Sequence, residues 1–97
     1  YKYALQGVNI PMVDFEDVSL REALDILTLK IEHETEKNIA PNFIILDLKG
    51  AFSGRKITLR LKNVPASAVL GYIVNKVRGS VRYDRHAIVI TPLSASR

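Results

Sequence analysis

Hydrophobic positions along this chain follow two periods. Over residues 56–62 every second side chain is apolar: Ile57, Leu59 and Leu61 lie on one side, Lys56, Thr58, Arg60 and Lys62 on the other. A period of two predicts a strand with one buried face. From Leu20 the spacing changes, and Leu20, Ala23, Leu24, Leu27 and Ile31 recur at the intervals of an amphipathic helix. Ile26 and Leu29 widen that stripe, so the helix is expected to be buried over much of its girth. Its start is written in Ser19-Leu-Arg-Glu22, a capping box. The serine hydroxyl accepts from the amide of Glu22, and the glutamate reaches back to the serine amide. After Ile31 the chain turns wholly polar, and the helix is expected to project or fray there and to end before Pro41.

This strand–turn–helix order occurs twice, 46 residues apart. Val13 and Phe15 answer to Leu59 and Leu61, Asp17 to Asn63, Val18 to Val64 and Ser19 to Pro65. The match continues into the helices, with Ala23 answering to Val69, Leu24 to Leu70, Leu27 to Ile73 and Ile31 to Val77. Two units of one design therefore account for most of the chain.

The first strand, residues 8–15, alternates loosely around Pro11, which lacks the amide a ladder needs. A short, interrupted strand at a sheet edge is predicted. Residues 43–48, Phe-Ile-Ile-Leu-Asp-Leu, form a brief apolar run between Pro41 and Gly50 and read as a strand buried on both faces. Residues 49–55 read as a loop, Pro65 as the start of the second helix and Gly79 as its stop. Residues 81–83 and 87–91 read as a hairpin. Residues 1–7 carry little pattern and are read as a lead-in, 8–92 as the domain and 93–97 as a linker. The predicted order is β-α-β-β-α-β-β, an α+β single domain with two helices packed on small mixed sheets.

Composition narrows the function classes. The 97 residues are 47% hydrophobic and 25% charged, which is globular composition and argues against disorder. No apolar run approaches the roughly 20 residues of a membrane-spanning helix. Without cysteine there are no disulfides and no thiolate metal sites. The net charge of +4 permits an anionic partner, although a solvated basic surface explains it as well.

Catalytic chemistry finds no foothold. His33 stands among Glu32, Glu34 and Glu36, but adjacent helical residues point in different directions, and its i+4 neighbour is Lys37. A solvated helix end is the simpler reading. His86 sits in the hairpin turn beside Asp84 and Arg85. Ser19 is committed to capping, and Ser53, Ser67 and Ser80 have no elbow or histidine context. Asp14, Glu16 and Asp17 lack calcium-loop spacing, and neither a phosphate-binding loop nor a dinucleotide fingerprint occurs. No enzyme activity, cofactor, metal or small-molecule substrate is expected. Nucleic acid is weighed more closely, because Lys56, Arg60, Lys62, Lys76, Arg78, Arg82 and Arg85 could form a patch. Against it, Gly50-Ala-Phe-Ser-Gly54 is not the Gly-x-x-Gly clamp of a KH module. The strand over 56–62 also exposes no aromatic residue for stacking. A polar sheet face whose lysines discourage aggregation is the simpler reading.

The phrase Ile10-Pro-Met-Val-Asp-Phe-Glu-Asp-Val-Ser-Leu-Arg-Glu-Ala-Leu-Asp-Ile-Leu27 resembles the opening of the secretin and TonB short N-terminal domain. Ile57-Thr-Leu-Arg-Leu-Lys-Asn-Val-Pro65, with the helix start at residues 66–70, is similar to the second half of that pattern, and a closing hairpin also fits. The resemblance covers about residues 8–92. One departure is the stretch 32–42, which is long, charged and glycine-free where members of the family carry a short glycine turn. In this the chain looks like the variants with an extended first helix in type II secretion and type IV pilus secretins. The resemblance implies a periplasmic, non-enzymatic module that docks proteins: an inner-membrane platform, or neighbouring subunits in a ring of the full-length protein. The signalling domain of a TonB-dependent receptor contacting an anti-sigma regulator fits less well and is the nearest alternative; an RNA-binding α+β module is the alternative from another class. Docking on an exposed strand edge would use Ile10, Met12 and Asp14 on the first strand, or Lys56, Thr58, Arg60 and Lys62 on the later one.

Overall fold

The two repeated units meet along their strands. In the computed structural model, which describes residues 2–93, β1 (Asn9–Val18) and β3 (Ile57–Pro65) pair antiparallel as a two-stranded ribbon. Val13 lies opposite Leu61 and Phe15 opposite Leu59. Between them Asp14 lies opposite Arg60, 46 residues away in sequence. That interval is the repeat itself, so this pair sits on a pseudo-twofold axis that exchanges the units. The helices α2 (Leu20–Glu34) and α3 (Ala66–Lys76) begin at equivalent positions and pack against each other and the ribbon.

Strand gives way to helix through the same device in both units. Asp17 (φ 56°) and Asn63 (φ 53°) occupy the left-handed region, which Asp and Asn tolerate better than other residues with a side chain. Each turns the chain so that the following valine, Val18 or Val64, packs inward beside the core. Two residues beyond each kink stands the N-cap. At Ser19 the capping box is complete, with the Glu22 amide 3.1 Å from the serine hydroxyl and the Ser19 amide 2.9 Å from the glutamate. At Pro65 no side chain caps the helix.

The stripes foreseen for both helices are buried, with Leu24, Leu27, Ile31, Leu70, Ile73 and Val77 at the centre of the core. Three further strands cover the other side: β2 (Phe43–Ile45), β4 (Gly79–Tyr83) and β5 (Ile88–Pro92), in the order β2-β5-β4. Here β5 runs parallel to β2 and antiparallel to β4, and β4–β5 is the foreseen hairpin. The fold is an α+β single domain with small mixed sheets.

Several expectations need correction. Residues 1–7 are no bare lead-in: α1 (Lys2–Gln6) forms there and sends Leu5 fully into the core. Leu5 lies between exposed Ala4 and Gln6, which leaves no period to read. β1 continues to Val18 through a register shift after Phe15, and its buried face changes around Pro11, between the pairs Ile10–Val64 and Met12–Lys62 that flank the Asn63 kink of β3. Ile10 and Val13 are buried while Pro11 and Met12 between them are exposed. Of the stretch 32–42 only residues 32–34 are helical, so the helix ends well before Pro41 as expected and is not a long extension. α2 stops at Glu34 in a Schellman turn, with the Glu36 amide on the His33 carbonyl and the Lys37 amide on that of Glu32. Glu36 and Lys37 take positive φ without glycine, and the Thr35 hydroxyl holds the chain beyond by accepting from the amide of Ile39 at 3.2 Å. In the second unit the left-handed stop is Arg78 (φ 59°), not Gly79. Gly79 instead opens β4 where a Cβ would meet Phe52, Val74 and the Thr91 carbonyl, each at 3.1 Å. The strand expected over 43–48 is a three-residue edge, and it is bare on one face: Ile44, Leu46 and Leu48 are exposed. Past Ile45 the Asp47 carboxylate accepts from the amides of Ala51 and Phe52 at 2.7 and 2.9 Å, which folds the loop and lowers Phe52 into the core. Residues 94–97 of the expected linker lie outside the described residues.

Candidate functional site

A two-stranded ribbon leaves an unpaired edge on each strand. Every second residue of β1 and of β3 turns its N–H and C=O away from the partner strand, and neither edge carries another strand among the described residues. The ribbon's inner face belongs to the core through Val13, Phe15 and Ile57, with Leu59 and Leu61 packed beside them. Its outer face is the open one.

That outer face gathers most of the residues named from sequence. Met12 lies opposite Lys62 and is half exposed, and Asp14 lies opposite Arg60 with Arg60 Nε donating to Asp14 Oδ1 at 3.1 Å. Together with Val13 and Leu61 these four line a shallow depression of about 380 Å³. Thr58 is exposed, and its hydroxyl accepts from the amide of Asp17 at 3.0 Å, which ties the kink of β1 to β3. Lys56 is exposed just ahead of β3. It adds electrostatically to the depression of the Glu22 carboxyl below its ordinary value; the Ser19 backbone amide is the first cause and the Ser19 hydroxyl the second. Ile10 is the exception, being fully buried beneath the change of face at Pro11, so its side chain offers nothing to a partner.

Beside β1 runs a second groove, floored by Pro11, Met12, Ile26 and Leu29, with Lys30 and His33 on its rim. Leu29 is 65% exposed and Met12 51%. Of the two residues expected to widen the helix stripe, Ile26 packs beside the core, while Leu29 lines this groove. His33 is exposed and also borders Glu32, Glu36 and Lys37 at the helix end, and among the described residues no group of three metal-ligating side chains occurs. Of the basic residues considered for nucleic acid, Lys56, Arg60 and Lys62 share the ribbon. Arg82 lies on β4 in the other sheet, in a paired bond to Asp84 at 3.0 and 3.2 Å.

Reading residue types element by element missed how charge divides between the units. Residues 1–48 hold nine Asp and Glu against four Lys and Arg; residues 49–97 hold one against ten. A count by repeat would have found it. The first unit is acidic and the second basic, and the ribbon joins an acidic strand to a basic one. No family model, curated protein or solved structure matches the chain.

Proposed function

We propose that this domain is a non-enzymatic docking module of a secretin-like secretion or type IV pilus assembly apparatus. In this reading it works in the periplasm, and its partners are an inner-membrane platform or neighbouring subunits. The observation that carries the reading is the ribbon, whose two long strands each keep an unpaired edge and present Met12, Asp14, Thr58, Arg60 and Lys62 on one open face. Such an edge accepts a partner strand through main-chain hydrogen bonds, while neighbouring side chains select the partner. The likeness of the 10–27 and 57–65 phrases to secretin and TonB short N-terminal domains supplies the cellular setting.

Amide hydrogen exchange tests the docking. In the free domain, amides of β1 and β3 that point away from the ribbon should exchange fast. Added inner-membrane proteins should slow them selectively. Protection by RNA at Lys56, Arg60 and Lys62, with none from protein, would replace this reading by nucleic-acid binding.

A further inference from the structure

The charge division bears on what an edge can accept. On β1 the exposed charges are Asp14, Glu16 and Asp17; on β3 they are Arg60 and Lys62, with Lys56 just ahead. We propose that the free edge of β1 takes the free edge of β3 from a second copy of this chain, so that copies add head to tail. The inference rests on the docking reading for the use of the strand edges, and adds the occupant and its polarity.

The geometry of the contact already exists inside the molecule, where β1 and β3 lie side by side and Asp14 meets Arg60 at 3.1 Å. A second β3 on the other side of β1 repeats that opposition of acidic against basic. The symmetric alternatives do not. Pairing β1 with its own copy sets Asp14 and Glu16 against acidic residues, and pairing β3 with its own copy sets Arg60 and Lys62 against basic ones. Like charges on directly opposed strands are destabilising. A closed twofold dimer pairs identical edges, so this charge pattern disfavours it and favours the open, heterologous contact that builds rings or filaments. The groove of Pro11, Met12, Ile26 and Leu29 flanks the β1 edge and gives the incoming copy apolar surface to cover. On that copy, Tyr72 is half exposed on the helix beside β3, at the repeat position equivalent to Ile26. The long aliphatic stems of Arg60 and Lys62 can lie over Met12 while their charges reach the acidic strand.

Sedimentation of the domain at millimolar concentration, in low and in high salt, tests this. The wild type should grow past the dimer at low salt and return to monomer at high salt, because exposed charge pairs are screened. Glu16 and Lys62 are exposed and make no ion pair among the described residues, so Glu16→Lys and Lys62→Glu should leave the fold intact. Each variant alone should associate roughly two- to tenfold more weakly. An equal mixture of the two should regain association, because the basic β3 of the first meets the acidic β1 of the second. A wild type that stays monomeric, stops at a dimer, or associates equally well in either single variant overturns the proposal. Protection of a monomeric wild type by an envelope protein would overturn it and leave the docking reading standing. Self-association with no envelope partner would uphold it and remove the inner-membrane platform from the docking reading.

Discussion

α2 and α3 begin at equivalent positions of a 46-residue repeat and each closes on a left-handed residue other than glycine, yet the side chains that cap them differ. α2 opens on a complete capping box and closes on a Schellman turn made without glycine. α3 opens on a proline without a side-chain cap. It closes on a left-handed Arg78, while the guanidinium of Arg55 caps the Val77 carbonyl at 2.6 Å. The units also share the buried stripe and the kink before the helix. Those features set the backbone. Caps and surface charge are free to diverge, and here they diverge into an acidic unit and a basic one.

Substitutions can test how deep the equivalence goes. Leu27 and Ile73 are fully buried repeat partners. Leu27→Ala and Ile73→Ala should each cost about 2–5 kcal/mol in urea unfolding, and a large difference between them would mean that the units are not energetic equals. Gly79→Ala acts on the second unit alone. A Cβ would press on Phe52, Val74 and the Thr91 carbonyl, and thermal unfolding should report a loss of about 1–3 kcal/mol.

The first unit has its own test in Ser19→Ala, with an expected cost of about 1 kcal/mol. The folded protein holds the Glu22 carboxyl below its ordinary value. The capping box therefore stabilises fully above the unfolded-state value and loses that contribution as pH falls through the lowered folded one. In the variant this acid-side loss should shrink, and the Glu22 titration followed by NMR should move up. The smallest effect is expected on the axis itself. The Asp14–Arg60 pair is largely exposed, so Asp14→Asn should change stability by less than about 0.5 kcal/mol. A larger change would show that the ribbon depends on that pair.

Much of this fold could be read from the chain because its signals are periodic. The two stripes, the capping box, the clean alternation of β3 and the 46-residue match each left several residues in agreement. Features that rest on a single residue stayed hidden. Leu5 anchors α1, the buried face of β1 changes around Pro11 without ending the strand, and Arg78 takes a conformation that glycine usually fills. The apolar run 43–48 misled for another reason: at the edge of a three-stranded sheet one of its faces has no covering layer, and Ile44 and Leu46 stay in solvent. At the docking surface, five of the seven residues named from sequence lie together on the ribbon's outer face. Ile10 failed because the face changes one residue beyond it.

The span between Asp14 and Arg60 has a consequence for how the protein is made. The two halves of the ribbon lie 46 residues apart, so no local zippering can assemble it, and closing so long a loop slows folding. On a ribosome adding about 5–20 residues per second, the first strand waits roughly 2–9 seconds for its mate. During that wait it is a bare, half-apolar strand beside others of its kind on neighbouring ribosomes. Its acidic charge then acts as a guard, because nascent first halves repel one another until the basic half arrives and makes pairing favourable.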